Sequence, residues 1–171
     1  MKILIPFNGM SQYDPAIDAK WQGSACGPVT AAAILRHHEK KEWDAGELYG
    51  ALGTTRIGLF TWRLVRKFKK LTAGRYRIEK IRSVDEAKKE LAAGRPLAMK
   101  FDRWFSFNWF SKPLFNYHWV PLIGFEERED DLILYFHDNG KRNRPSRMQA
   151  VSYEKNKKFL TFVKIVPTQM D

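Results

Sequence analysis

The chain has 171 residues, of which 44% are hydrophobic, and a single cysteine, so we expect one domain over residues 1–171 with no internal disulfide framework. Its formal net charge is +11, but the basic residues are scattered and no base-reading motif accompanies them, which argues against a specific nucleic-acid-binding protein. No apolar run approaches the length of a membrane span and the apolar start of the chain is too short for a signal peptide, so we expect a cytoplasmic protein, or an extracellular or envelope protein if a leader has been removed.

The first half of the chain predicts helices. Residues 1–25 are rich in turn-forming pairs and predict an irregular segment. A run of small and apolar residues predicts a buried helix over 26–39. A second helix is predicted from Asp44, which forms a capping-box pattern with Glu47, and its apolar pattern continues to Leu71.

The second half of the chain predicts strands. Residues 75–81 alternate as a strand does, and a short helix capped by Ser83 follows and ends near Gly94. Four further strands are predicted over residues 96–101, 118–125, 132–138 and 160–166. Pro121 has no N–H for a ladder, so we expect its strand to be bulged or exposed there. Helices followed by an antiparallel sheet make an α+β fold.

Cys26 is the best candidate for a reactive group. It begins the first predicted helix, where unpaired amides and the helix dipole favour the thiolate form of a cysteine. A cysteine nucleophile needs a base, and His118 lies at the start of a predicted strand that could hold an imidazole rigidly. His37 and His38 lie at the other end of the Cys26 helix, more than about ten ångströms away. We therefore predict that Cys26 and His118 form the reactive pair.

Asp138 is the candidate for the group that orients this base. It ends the strand that follows the His118 strand, and a hairpin between the two strands would bring it close to His118. A carboxylate there would fix the imidazole tautomer and stabilise the imidazolium. The same position also fits an ordinary tight turn. His137, one residue earlier, is expected on the opposite side of the strand.

An unusually aromatic stretch over residues 102–117 precedes His118. It has neither a helical nor an alternating period, so it fits a loop packed on the core, a wall of a substrate groove or a membrane contact. For the substrate groove we predict these contacts: Trp104, Phe107, Trp109 and the neighbouring Trp119.

Several short motifs, taken together, resemble one known family. In chain order they are Ile5-Pro6-Phe7, Gln12-Tyr13-Asp14-Pro15, Ala25-Cys26-Gly27-Pro28, His118-Trp119-Val120 and Asp138. This order resembles the papain-like cysteine peptidases related to the double-glycine leader peptidases of bacteriocin exporters, particularly their stand-alone bacterial relatives. The resemblance covers nearly the whole chain. It implies a papain-like fold, with N-terminal helices packed on a C-terminal antiparallel sheet.

The resemblance also implies roles for individual residues. Cys26 would attack an acyl carbon, His118 would transfer the proton and Asp138 would orient His118, with Asn139 as the alternative orienting group. A glutamine would complete the oxyanion hole together with the Cys26 amide. Gln12 lies in the family-like segment and is preferred over Gln22, which lies closer to Cys26 in the sequence.

The predicted function is hydrolysis of a peptide or amide bond by a cysteine peptidase. The alternatives are a catalytically inactive binding module on the same fold, and a cysteine acyltransferase or cell-wall amidase. Close-spaced ligand pairs of the kind that zinc sites use are absent from the sequence, as are phosphate-binding glycine loops, so we expect no cofactor. The expected partner is a peptide or amide substrate, and the oligomeric state stays open.

Overall fold

The computed structural model describes residues 1–102 and 117–169. Within them the helices are α1 (Ala19–Gln22), α2 (Cys26–Glu39), α3 (Ala45–Ala51), α4 (Thr61–Thr72), α5 (Val84–Ala92) and α6 (Tyr153–Asn156). The strands are β1 (Lys2–Leu4), β2 (Tyr76–Lys80), β3 (Leu97–Asp102), β4 (Tyr117–Glu127), β5 (Leu132–His137), β6 (Met148–Ser152) and β7 (Leu160–Pro167). Every predicted strand is present, within two residues of its predicted ends.

The strands form one antiparallel sheet in the order β2-β7-β3-β4-β5-β6, with β1 added to β4. Strand β4 is central, because it pairs with β3 along its first half and with β5 along its second half. The α+β prediction is therefore confirmed. Among the described residues, no helix has both the length and the apolar character needed to cross a lipid bilayer.

Helix α2 is the most buried helix of the described chain. Its first ten residues, 26–35, are all buried, and alanines at 31–33 let its backbone approach the sheet closely. Pro28 lies in the first turn, where its missing N–H would have no helical partner. The helix ends where Lys40 adopts a left-handed conformation, with φ of 52°. The observed bounds match the predicted ones.

Two apolar clusters lie on the two faces of the sheet. The first packs α2, α3 and α4 against residues such as Trp119 and Val163. The second packs α5 and the β1 segment against residues such as Val120 and Phe136. The adjacent β4 residues Trp119 and Val120 thus belong to different clusters, as a strand buried on both faces requires. Each fully buried large aliphatic side chain contributes about 1.5–3 kcal/mol to stability.

The prediction of one long helix from Asp44 to Leu71 was wrong. The structure has α3 and α4, separated by a loop over residues 52–60. Gly53 and Gly58 have φ values of 67° and 117°, which are incompatible with a helix. Glycine adopts positive φ without the steric cost that a Cβ would bring. The Arg63 guanidinium donates to the Gly53 carbonyl at 2.7 Å and fixes the loop against α4.

Two short strands were not predicted. Strand β1 lies inside the segment expected to be irregular, and it pairs with β4 at residues 124–126. Strand β6 pairs with β5. The expected irregularity near Pro121 is present as a register shift between Leu122 and Gly124. Pro121 lies opposite Ala98 of β3, before pairing with β5 begins, so its missing N–H falls where β4 has no β5 partner.

Candidate active site

Cys26 begins α2 and is 4% exposed. Burial raises the pKa of the Cys26 thiol above its ordinary value, because the thiolate loses hydration. Backbone amides of Trp119, Gly27 and Cys26 and the charge of Lys100 offset only part of this effect. The amides at the helix start therefore favour the thiolate, as expected, but the effect of burial on the pKa is larger.

His118 is the second residue of β4 and is partly buried. Its neighbour Trp119 directs a backbone amide at the Cys26 sulfur, so the strand carrying His118 runs past the start of α2. Burial lowers the pKa of His118 to about 4, and the negative charge of Asp138 raises it only in part. Both shifts favour the neutral imidazole and the neutral thiol over the charged pair.

Asn139 joins the segments on which the candidate residues lie. Its side-chain Nδ2 donates to the Trp119 carbonyl at 2.7 Å and to the Cys26 carbonyl at 3.0 Å. A third contact at 3.1 Å reaches Thr30 Oγ1, one turn further along α2. The backbone carbonyl of Asn139 accepts from the Gln12 amide at 2.9 Å. One buried residue therefore holds three separate chain segments together.

Asp138, the residue before Asn139, is 2% exposed. Its carboxylate accepts two bonds from the Arg144 guanidinium, at 2.6 Å and 3.2 Å. The amide of Gly140 and the side chain of Gln149 also donate to it. Burial alone would raise the pKa of Asp138, but these bonds outweigh it and hold the pKa below its usual range. The charge is therefore kept, and it acts on His118 through space.

The two glutamine candidates have different environments. Gln12 is 4% exposed, and its Nε2 donates to the Gln22 carbonyl at 2.8 Å, which leaves its second hydrogen for another acceptor. Gln22 Nε2 donates to the carbonyls of Asp14 at 3.3 Å and Ile17 at 3.1 Å. Both of its hydrogens are thus engaged by the loop before α1.

A cavity of about 340 Å³ opens beside these residues and is lined in part by Gln12, His118 and Asp138. Gln22 does not line it. The cavity brings together an amide donor, an imidazole and a carboxylate from three distant parts of the chain. These are the groups that acyl transfer by a cysteine requires around its nucleophile.

The predicted aromatic contacts divide into two groups. Trp104, Phe107 and Trp109 lie outside the described residues. Trp119 is completely buried, and its indole N–H donates to the Leu59 carbonyl at 2.7 Å. Its assignment to a substrate surface is therefore wrong, because the alternation of β4 points this side chain into the first apolar cluster.

The remaining histidines lie away from the cavity. His37 stacks on Phe7, with 5.5 Å between ring centroids. His38 Nε2 lies 3.0 Å from the Ile165 carbonyl, and burial lowers its pKa to about 4. His137 Nδ1 contacts Ser146 Oγ at 3.1 Å. No group of side chains that could hold a metal ion occurs among the described residues.

Sequence reasoning missed two features of this site. Asn139 was considered as a group that orients His118, but its amide is directed at Cys26, Thr30 and Trp119. The pairing of Asp138 with Arg144 was not foreseen. The signal available was the spacing, since a turn after Asp138 returns the chain to it six residues later.

Comparison with known families gives one match. The model of the Peptidase_C39 like family matches residues 5–165, which is most of the chain and includes all of the candidate residues. No curated protein is significantly similar to the chain in sequence.

Solved structures show where the fold occurs. The peptidase domain of Streptococcus ComA, a bifunctional ABC transporter involved in quorum sensing, superimposes with a TM-score of 0.58 at 15% identity, covering 97% of this chain and 98% of that one. A protein assigned as a C39-like peptidase from Bacillus anthracis gives 0.62 at 16% identity, with 96% and 98% covered. UfSP from C. elegans gives 0.61 at 11% identity, with 98% of this chain but 34% of that chain covered. The fold is thus that of C39 and papain-like peptidases, as the sequence predicted.

Proposed function

The chain belongs to the Peptidase_C39 like family, and we propose that it is an active cysteine peptidase that hydrolyses a peptide or amide bond. The convergence of the Cys26, Trp119 and Gln12 segments on the single residue Asn139 supports this proposal most strongly. A binding module would need the fold but would have no chemical need for a thiol, an imidazole and a carboxylate on the segments that Asn139 joins.

The proposed reaction has two stages. In the first, Cys26 Sγ attacks the carbonyl carbon while its proton passes to His118, and the carbonyl electrons move to oxygen. The side-chain amide of Gln12 and the backbone amide of Cys26 donate to this oxyanion. The intermediate collapses, the C–N bond breaks, and the amine leaves with the proton from His118. The product at Cys26 is a thioester.

The second stage restores the enzyme. Water attacks the thioester while His118 takes one of its protons, and the C–S bond of the tetrahedral intermediate breaks. The proton then returns to Cys26 and the acid is released. Asp138 stabilises the imidazolium form of His118 in both stages through its charge. Because both pKa shifts favour the neutral thiol and imidazole, His118 acts as a general base during the attack.

The pairing of thiol and imidazole is tested by alkylation with iodoacetamide, read by intact mass. The chain has one cysteine, so a single adduct reports on Cys26 alone. We expect His118→Ala to slow labelling near neutral pH, since general-base catalysis contributes up to about 10²–10⁴-fold. The control is His137→Ala, which removes an imidazole that contacts Ser146 away from the cavity. Equal labelling rates in all three proteins would contradict the pairing.

Hydrolysis is tested with a panel of internally quenched peptides. Cleavage by the wild type should disappear in Cys26→Ala and should fall by about 10²–10⁴-fold in His118→Ala. Adding a primary amine and analysing the products by mass separates hydrolysis from acyl transfer. Cleavage that survives in Cys26→Ala would refute the assignment of the nucleophile.

A further inference from the structure

The wall of the cavity beyond Asp138 is strongly basic. Lys141, Arg144 and Arg147 all line the cavity, and Asp138 is the only carboxylate among its lining residues. The three cations come from one short segment, because the chain turns back where Lys141 and Arg144 form a β-bridge. The cavity that Gln12, His118 and Asp138 line thus has an excess of positive charge.

Arg144 alone is enough to neutralise Asp138. It forms a two-pronged ion pair with the carboxylate at 2.6 Å and 3.2 Å. The Arg147 guanidinium lies 3.9 Å from the same carboxylate, and its side chain is 63% exposed. Among the described residues, no carboxylate forms an ion pair with Lys141, which is exposed. The charges of Lys141 and Arg147 are therefore available to a ligand.

The same cavity limits what such a ligand can be. Its volume of about 340 Å³ accommodates one or two side chains, which suits a short peptide segment. Gln12 and His118 line the same cavity, so an occupant would sit next to the candidate base and the candidate oxyanion donor. An arginine fork recognises a carboxylate through paired hydrogen bonds, and a cleft lined by one sign of charge concentrates ligands of the opposite sign.

We propose that Lys141 and Arg147 form a subsite for a carboxylate side chain, so that the substrate is a peptide with an aspartate or glutamate beside the bond that is cleaved. This inference rests on the proposed function, because it assumes that the protein cleaves a peptide bond. The binding step itself needs no reaction at Cys26 and can be measured separately.

The test measures binding to the Cys26→Ala protein, which cannot turn over a substrate. The probes are rhodamine-labelled dodecapeptides in which alanine alternates with glutamate, glutamine or lysine, read by fluorescence anisotropy. Because the charge recurs at every second residue, a shift of at most one residue places it at the subsite. We expect the glutamate peptide to bind about three- to tenfold more tightly than the glutamine peptide, as two partly exposed ion pairs allow. The lysine peptide should bind most weakly.

The decisive comparison uses two double variants with equal charge. Lys141→Gln combined with Arg147→Gln should abolish the preference for glutamate. Lys89→Gln combined with Lys158→Gln removes two exposed charges outside the cavity and should retain it. Equal binding of the glutamate and glutamine peptides, or a preference lost equally in both double variants, would overturn the subsite.

The outcomes also separate this inference from the proposed function. If the glutamate preference depends on Lys141 and Arg147 but the wild type cleaves none of the peptides, the subsite stands and the hydrolase proposal fails. If the wild type cleaves the glutamine and glutamate peptides with equal kcat/KM, the hydrolase stands and the subsite fails.

Discussion

Replacing Asn139 with alanine should be among the most damaging single substitutions in the described fold. The residue is 1% exposed, and its Nδ2 contacts three acceptors, the carbonyls of Cys26 and Trp119 and the Thr30 hydroxyl. A buried group left without its hydrogen bond costs about 1–3 kcal/mol. The amide has two hydrogens to share, so we expect a loss of about 2–5 kcal/mol in the free energy of unfolding.

The assay is urea unfolding followed by circular dichroism, with thermal unfolding as a second readout. For a protein of this size, each kcal/mol lowers Tm by about 2–4 °C, so a loss near 3 kcal/mol corresponds to about 6–12 °C. The matched control is Asn156→Ala, which removes one half-exposed bond to the Ser152 carbonyl at 2.8 Å and should cost about 1 kcal/mol or less. Asn139→Asp should be worse than alanine at neutral pH, since a carboxylate would face three oxygen atoms.

Equal free energies of unfolding for Asn139→Ala and Asn156→Ala would refute this prediction. Wild-type stability of Asn139→Asp at neutral pH would also refute it. Either result would mean that the three side-chain contacts do not hold the Cys26 and Trp119 segments together.

Three further predictions follow from particular contacts. Gln12→Ala should lower kcat/KM on a cleaved peptide by about 10²–10³-fold, as loss of an oxyanion-hole donor does; a larger effect of Gln22→Ala would reverse the assignment. Gly124→Ala should lower the free energy of unfolding by about 1–3 kcal/mol, because a Cβ would collide with the Ile3 carbonyl of β1, whereas Gly50→Ala, with open space around it, should be neutral or stabilising; similar urea midpoints for the two would contradict this. Burial lowers the pKa of His38 to about 4 in the folded state, against about 6.5 in the unfolded chain. The contribution of His38 to the free energy of unfolding is therefore full above about pH 6.5 and is lost as the pH falls towards about 4. Urea unfolding of His38→Gln should show a shallower loss of stability over this pH range, and an unchanged slope would contradict the prediction.

The sequence predicted the elements that carry strong local signals. The start of α2 at Cys26 follows from the run of small and apolar residues over 26–35, and the polar residues 36–39 complete its last turn. The break between α3 and α4 was missed because the apolar spacing continues across it, while the loop that separates them depends on a tertiary contact of Gly53 with Arg63 of α4. Strand β1 has only three residues, so its existence depends on pairing with β4 rather than on its own pattern.

The candidate site was predictable only in its residue types. Spacing and motif order indicated Cys26, His118 and Asp138, because each lies at the end of a recognisable element. The role of Asn139 could not be read from the sequence, since it depends on which carbonyls lie within 3.0 Å in the folded chain. A turn sequence such as Asp-Asn-Gly is also compatible with a solvated loop, and nothing local distinguishes the two.

The charge balance of the cavity links the resting state to the proposed substrate. Burial raises the pKa of Cys26 and lowers that of His118 to about 4, so separating charge between them is unfavourable in the empty site. Asp138 favours the imidazolium form, but its charge is shared with the Arg144 guanidinium. A substrate carboxylate bound by Lys141 and Arg147 would add a second negative charge near His118 and offset these cations. The proton transfer from thiol to imidazole would then be easier in the occupied site than in the empty one, so the thiol would be more reactive in the complex with its substrate.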